Sequence, residues 1–234
     1  MNKLKHFLNF KVESVWINFL SFLIHKLNCP AKRLGSAYGG WTICPIGLNF
    51  KSIIYSFGIG EDISFDLALI EKFRCRVFAF DPTPRSIEWL KQQELPHNFK
   101  WFEIGIADYD GKAKFFPPEN TSFVSHTILK RPQTANKAIV VNVRRLSTIL
   151  NELSNQRIDI LKMDIEGAEY KVIDDMLSTN VRPAQILVEF HHFFKNVSLL
   201  RTIHSTINMW MHGYRLFSLS KSGHEYSFIF KGKV

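Results

Sequence analysis

The stretch that decides the fold runs from Ile53 to Leu69 and reads "IIYSFGIGEDISFDLAL". A short apolar run ends at the Gly-x-Gly turn formed by Gly58 and Gly60, and a segment with apolar residues at helical spacing follows. Glycines in such a turn let the backbone adopt positive φ and approach a ligand closely. Gly-x-Gly turns also occur in proteins that bind no nucleotide, but a strand before the turn and a helix after it favour a ligand site.

Strands and helices alternate on the C-terminal side of this turn. The sequence predicts buried strands at 52–57, 76–81, 99–108, 158–164 and 184–190, with helical segments among them. Two β-rich runs at the end of the chain, "YRLFSLS" and "EYSFIF", flank a Gly-containing turn and predict an antiparallel hairpin. The predicted fold class is therefore α/β, with a doubly wound, mostly parallel seven-stranded sheet that ends in a C-terminal antiparallel hairpin.

Composition and charge limit the partners of the chain. Its 234 residues, 46% hydrophobic and 22% charged, suit one globular α/β domain with an appendage. The net charge of +9 favours an anionic partner, such as nucleic acid, a phosphorylated molecule or a membrane surface, or is simply a basic surface. Cys29, Cys44 and Cys75 form no C-x-x-C pair, which argues against a disulfide framework or a zinc site and predicts a cytoplasmic, reducing location.

The N-terminal region is predicted to be a separate helical extension, residues 1–35, ahead of a main domain at 36–234. Apolar residues recur at helical spacing within 3–27, which indicates one or two amphipathic helices. The apolar run at 15–24 is well short of the roughly 20 residues that a membrane-spanning helix needs. We expect the extension to pack on the main domain; the alternative is peripheral contact with a membrane surface.

Carboxylates follow the predicted strands where a doubly wound sheet binds its ligand, at the carboxyl ends of the strands. Asp81 comes about 20 residues after the glycine turn, where a ribose-binding carboxylate belongs; the alternative is a capping residue before Pro82. Asp108 follows Ala107 after the third strand and can accept a hydrogen bond from an adenine amine, or be an ordinary turn residue.

Two further segments carry groups that can accept a proton. "KMDIEGAEY", Lys162 to Tyr170, places Asp164 at a strand tip and Glu166 in the following turn, and "VEFHH" ends the next strand with acidic and histidine residues. The alternative for the acidic groups is the first turn of a helix, which favours negative charge. The candidate catalytic residues are Asp164, Glu166, Glu189 and His191.

In these segments the chain resembles the FkbM-type family of S-adenosylmethionine-dependent methyltransferases. The strongest match is "DILKMDIEGAEYKVIDDM", which is similar to the Lys-x-Asp-x-Glu-Gly-x-Glu segment of that family. Supporting matches are "VFAFDPTPRSIEWL", "GIADYDGKAKFF", "ILVEFHH" and the "YGGW" loop. The resemblance covers residues 36 to 230 and not the N-terminal helical region.

The resemblance implies a Rossmann-like class I methyltransferase fold, S-adenosylmethionine as cofactor, and methyl transfer that usually goes to a hydroxyl oxygen. Glycines of the first turn would line the methionine end of the cofactor, Asp81 would hold the ribose, and Asp164 would lie near the sulfonium. The cofactor-binding residues that the resemblance implies are Gly58, Gly60, Asp62, Asp81, Ala107, Asp108 and Asp164. The chain departs from the family at Ser56, where an acidic residue is usual, and at Asp62, where a glycine is usual.

The predicted function is O-methylation of a hydroxyl on a small molecule or glycan. Alternatives are an RNA methyltransferase, suggested by the charge of +9, and a non-catalytic binding domain, suggested by Ser56 and Asp62. Nucleic acid is not expected as a partner, because the sequence holds no recognised RNA-binding module. We assign no metal site, although a divalent ion held by Asp164, Glu189 and His191 stays open as an alternative.

Overall fold

The computed structural model describes residues 14–22, 27, 29–118, 126–194 and 197–232. The strands are β1 (Lys32–Leu34), β2 (Trp41–Ile43), β3 (Ile53–Phe57), β4 (Arg76–Phe80), β5 (Phe99–Phe102), β6 (Gly105–Ile106), β7 (Gly111–Phe115), β8 (Ile139–Arg144), β9 (Ile160–Met163), β10 (Gln185–Glu189), β11 (Tyr214–Leu219) and β12 (Glu225–Phe230). The helices are α1 (14–22), α2 (Ser64–Phe73), α3 (Pro84–Leu90), α4 (Leu146–Glu152), α5 (Glu169–Ser178) and α6 (Leu199–Met211), with a 3-10 helix at Pro132–Lys137.

Seven strands form the main sheet, in the order β11-β12-β10-β9-β3-β4-β5. The strands from β10 to β5 are parallel, and only β12 runs antiparallel to both of its neighbours. One core packs α2 and α3 on one face of the sheet, and a second core packs α4, α5 and α6 on the other face. The predicted fold class, including the terminal hairpin, is confirmed.

Two segments differ from the sequence expectation. The predicted third strand at 99–108 is broken: only β5 pairs in the main sheet, as its edge strand, and β6 joins a separate sheet of order β6-β8-β7. This happens because β8 offers β6 a parallel partner outside the main sheet. The region 34–45, interpreted as a loop, contains β2 and the last residue of β1, its antiparallel partner, since Trp41 and Ile43 are buried in the core.

The N-terminal region is helical at 14–22, where Leu20 is buried in the larger core. The side chains of Val15, Phe19 and Phe22 remain more than half exposed. The rest of the predicted extension falls largely outside the described residues, and its division from the main domain at residue 35 stays a prediction. Within the described part of the chain, no helix has the length and hydrophobicity needed to cross a membrane.

Candidate active site

The glycine turn after β3 has one tightly packed side and one open side. Gly58 and Gly60 have φ of +74° and +55°. A Cβ atom on Gly58 would lie 1.7 Å from the carbonyl oxygen of Asp164, so position 58 accepts no side chain. A Cβ atom on Gly60 would meet no atom of the described residues within 4 Å. The turn therefore packs against the end of β9 through Gly58 and leaves free space at Gly60.

Asp81 braces this turn from the end of β4. Its Oδ2 accepts the backbone N–H of Gly60 at 3.0 Å, while Oδ1 accepts the N–H and the hydroxyl of Thr83 at 2.9 and 2.6 Å. The contacts to Thr83 are local, as the alternative of a capping residue before Pro82 expects, and the contact to Gly60 ties Asp81 to the glycine turn as well. A carboxylate has about four acceptor positions, so Asp81 keeps the capacity to accept further hydrogen bonds.

A narrow hollow lies next to Asp81. Its other walls are Ile59, Ser86, Ile87, Leu90, Trp101 and Phe102. Most of these side chains are apolar, and they pack so closely that the hollow has no room for a water molecule. Among the described residues, neither Ala107 nor Asp108 lines the hollow.

Asp81 and Asp164 flank the glycine turn at the same edge of the sheet. The N–H of Gly58 donates to the carbonyl of Phe80, one residue before Asp81, at 3.0 Å. The N–H of Asp164 donates to the carbonyl of Phe57, one residue before Gly58, at 3.2 Å. The carboxylates expected to converge at the turn therefore come from the strands on its two sides.

Asp164, Glu166 and His191 form a cluster that we call the acidic centre. His191 Nε2 lies 3.6 Å from Asp164 Oδ1 and 3.7 Å from Glu166 Oε2. The other ring nitrogen, Nδ1, lies 2.8 Å from Oε1 of Glu169. The His191 side chain is 3% exposed, whereas that of Asp164 is 33% exposed. The centre is therefore buried on the histidine side and reached by solvent on the aspartate side.

The charge state of His191 follows from its neighbours. Burial by itself lowers the pKa of His191, but the carboxylates of Glu169, Glu166 and Asp164 outweigh burial and raise it to about 10. In this arrangement the imidazole is protonated at neutral pH and has no lone pair with which to accept a proton. His191 as it stands does not meet the requirement for a general base.

Glu189, the last residue of β10, also has a raised pKa. Burial and the charge of Asp164 raise the pKa of Glu189 to about 7, although His191 works against the shift. A carboxyl group that titrates near neutral pH suits proton transfer. Glu189 is therefore better tuned for this task than His191.

Asp62 anchors the segment that carries "YGGW". Its Oδ2 accepts the Ser36 hydroxyl at 2.6 Å, and its Oδ1 accepts the Ser64 N–H at 2.8 Å. Burial works to raise the pKa of Asp62, but these bonds and one from the Gly39 N–H hold it below its usual range. Asp62 thus ties the β1–β2 hairpin to the glycine turn, a contact 26 residues apart in the chain.

Lys162 is a buried residue of β9, and its ammonium lies next to the glycine turn. Its ammonium donates to the carbonyl oxygens of Phe57, at 3.3 Å, and Gly58, and lies 5.6 Å from the centre of the Trp41 ring. Only 6% of the residue is exposed. Burial raises the pKa of the nearby Asp66 to about 6, although the positive charge of Lys162 opposes this. Lys162 therefore holds the turn while its charge is partly balanced by Asp66.

The segment after β6 makes a different contact from the one expected. The N–H of Ala107 donates to the carbonyl of Arg144 at 3.0 Å, and Ala107 is buried. Asp108 lies 3.7 Å from the Lys171 ammonium, on α5. A role for Ala107 and Asp108 in adenine binding stays a prediction.

The family assignment rests on most of the chain. Residues 49–216 match the sequence profile of the Methyltransferase FkbM domain. The chain belongs to the FkbM methyltransferase family. The match spans the glycine turn, Asp81 and the acidic centre, so these features sit inside the FkbM domain.

Named relatives of this FkbM domain carry methyltransferase names. "Probable methyltransferase-like protein 24" of Rattus norvegicus is 27% identical over 193 residues, 78% of this chain and 47% of the relative. "2-O-methyltransferase NoeI" of Sinorhizobium fredii is 25% identical over 131 residues, 50% of this chain and 54% of the relative. The chain thus spans about half the length of these curated relatives.

A solved structure with a similar chain path is the methyltransferase FkbM from Methylobacillus flagellatus KT. Its TM-score is 0.49 at 11% identity, and the alignment covers 79% of this chain and 45% of that one.

Sequence reasoning missed two residues of the FkbM domain's site. Lys162 was read only as part of a buried strand, although a lysine in such a strand must find partners for its charge. Glu169 lies in the "KMDIEGAEY" segment but is not among the predicted site residues, and its bond to His191 joins α5 to the loop after β10. The sequence "IDILKMD" shows a lysine within an apolar strand, so the need of Lys162 for buried partners could have been predicted. The sequence does not show that Glu169 pairs with His191.

Proposed function

We propose that this chain transfers the methyl group of S-adenosylmethionine to a hydroxyl oxygen of a small molecule or glycan. The observation that carries the proposal is the open side of the glycine turn at Gly60, held between Asp81 and the acidic centre. The adenosyl group would cross this turn, with Asp81 accepting from the ribose hydroxyls. The adenine ring would lie against the apolar side chains beside Asp81, which would have to move apart to admit it.

The residues that would face the methyl acceptor suit a molecule that is rich in hydroxyl groups. Carboxylates of the acidic centre and of Glu189 can accept several hydroxyl hydrogen bonds. Phe193 is 50% exposed and its ring packs 5.3 Å from that of His191, which adds an apolar surface next to the carboxylates. The relative named 2-O-methyltransferase also acts on oxygen by its name, which supports the same acceptor atom here.

Methyl transfer needs alignment and the removal of one proton. The acceptor oxygen, the methyl carbon and the sulfur must lie in line, which the protein achieves by holding both substrates. The acceptor hydroxyl gives its proton to a base as the new O–C bond forms and the S–C bond breaks. We assign the base to Glu189.

Replacing Gly60 by alanine tests cofactor binding. Gly60→Ala should fold, because its Cβ meets no protein atom, but the methyl group would enter the space assigned to the cofactor. We expect at least a tenfold loss of affinity for S-adenosylhomocysteine in titration calorimetry. Gly47→Ala is the matched control: Gly47 also has positive φ and open surroundings, but it precedes the opposite end of β3. No binding heat with folded wild-type protein, or equal affinities in the two variants, would overturn the proposal.

Replacing Glu189 by glutamine tests the base. Glu189→Gln keeps the shape of the side chain but removes its ability to take a proton, so we expect methyl transfer to fall by about 10²- to 10⁴-fold. Affinity for S-adenosylhomocysteine should change less than threefold. The readout is the methylated product by mass spectrometry after incubation with hydroxylated acceptors. Unchanged turnover in Glu189→Gln would remove Glu189 from this role.

A further inference from the structure

We propose that Asp164, Glu166 and His191 form a binding site for one divalent cation, best matched by Mn²⁺. The sequence left open an ion held by Glu189 together with Asp164 and His191. In the structure, Glu166 takes the place of Glu189 in this group. Binding of the ion does not depend on the proposed function, but its catalytic meaning rests on it.

The spacing of the three side chains fits a shared ion. One ligand atom from each residue lies within 4.8 Å of the others. His191 Nε2 is 3.6 and 3.7 Å from the two carboxylates, too far for a hydrogen bond. Ligand atoms around one ion, each at about 2.0–2.2 Å from it, lie roughly 3–3.5 Å apart. Small side-chain movements would therefore bring all three donors into coordination distance.

The buried histidine is the observation that separates this cluster from an ordinary acidic surface. Its side chain is 3% exposed, and Nε2 is directed between the carboxylates of Asp164 and Glu166 without a hydrogen bond to either. On the opposite side of the ring, Nδ1 lies 2.8 Å from Glu169 Oε1. A histidine whose second nitrogen contacts a carboxylate is the usual arrangement behind a metal ligand, because it fixes the ring and directs the other nitrogen to the metal.

Glu169 is held rigidly enough to orient the ring. Its side chain is 0% exposed, and Oε1 also accepts the N–H groups of Ile165, at 3.2 Å, and Gly167, at 3.1 Å. The second oxygen, Oε2, is buried and has no hydrogen-bond partner within the described part of the chain. A buried acidic side chain with one oxygen unpaired is costly to keep. A divalent cation that displaces the proton from Nε2 of His191 would bring one more positive charge towards this carboxylate.

The backbone fixes the two carboxylate ligands. Asp164 is held by its N–H bond to Phe57 at the tip of β9. Glu166 has φ of +54°, and its carbonyl accepts the Thr127 hydroxyl. Both ligands therefore start from backbone positions fixed by other elements of the fold.

The donor set identifies the kind of ion. Carboxylate oxygens suit Mg²⁺, Ca²⁺ and Mn²⁺, whereas imidazole suits transition metals, so Mn²⁺ satisfies both preferences. Three protein ligands leave coordination positions open. A cation there would supply a positive charge that lowers the pKa of an acceptor hydroxyl beside it.

Direct titration of Mn²⁺ tests the site without any activity assay. Chelator-treated full-length protein, free of cofactor and acceptor, is titrated with Mn²⁺ and the free ion is followed by electron paramagnetic resonance. We expect one ion per chain in the wild type. Asp164→Asn and Glu166→Gln should each weaken binding at least tenfold. Glu152→Gln on α4 removes the same charge from a surface carboxylate that is 54% exposed, so its affinity should equal that of the wild type.

The outcomes separate the two proposals. No Mn²⁺ binding by wild-type protein, or the same affinity in Asp164→Asn, Glu166→Gln and Glu152→Gln, would overturn the metal site. Thermal melting checks folding, and if one ligand variant does not fold the other decides the question. The wild-type protein is also titrated with S-adenosylhomocysteine: absence of cofactor binding when Mn²⁺ binds would contradict only the proposed function, and absence of Mn²⁺ binding when the cofactor binds would contradict only the metal site.

Discussion

Gly58→Ala should destabilise the fold by at least about 4 kcal/mol, a loss that few single substitutions reach. The new Cβ would lie 1.7 Å from the carbonyl oxygen of Asp164, a backbone atom at the tip of a central strand. The φ of +74° adds roughly 1–2 kcal/mol for any residue with a Cβ. Relief requires separating the end of β3 from that of β9, the strands between which the site is built.

Urea unfolding followed by circular dichroism measures the effect. Gly47→Ala is the control, because its φ of +84° carries the same backbone strain with no atom within 4 Å of the new Cβ. We expect Gly47→Ala to lose only the roughly 1–2 kcal/mol of the backbone term. If the two variants differed by less than about 1 kcal/mol, the close packing of the turn against Asp164 would be wrong.

Lys162→Met should cost about 3–5 kcal/mol of folding free energy and weaken cofactor binding. Methionine fills a similar volume, but it removes the two hydrogen bonds to the carbonyls of Phe57 and Gly58. It also leaves the carboxyl group of Asp66, 2% exposed, without its nearby positive charge. The control is Lys171→Met on α5, whose side chain is 67% exposed and whose loss should cost less than about 1 kcal/mol.

The deficit of Lys162→Met should depend on pH. The pKa of Asp66 is about 6 in the folded wild type, above its unfolded value, and it should rise further without Lys162. A carboxyl group with a raised pKa loses folding stability as pH rises through the folded value. The difference in free energy of unfolding between wild type and Lys162→Met should therefore be smallest near pH 4 and grow towards pH 8. A difference that stays constant over this range would contradict the pairing of Asp66 with Lys162.

Local sequence patterns predicted those parts of the fold that local sequence determines. The strand ending at Phe57, the turn at Gly58 and Gly60, and Asp81 after the next strand all lie in short segments with clear periodicity. The same patterns placed Asp164 at a strand tip. Because parallel strands end at one edge of the sheet, the meeting of these residues followed from the fold class.

Contacts between distant segments were not predictable in this way. The Ser36–Asp62 bond joins residues 26 apart, and the bond between Glu169 and His191 joins residues 22 apart. Asp62 was predicted to be a cofactor-binding position where the family usually has a glycine, and nothing in the sequence shows that Ser36 returns to meet it. The break between β5 and β6 depends on pairing with β8, which is more than 30 residues later in the sequence.

A crystal structure of the full chain grown with S-adenosylhomocysteine tests the central claim most directly. We expect electron density for the ligand across the turn at Gly60, with its ribose next to Asp81 and its sulfur towards Asp164. Density for the ligand at any other surface of the molecule, or an empty turn at saturating ligand concentration, would contradict it.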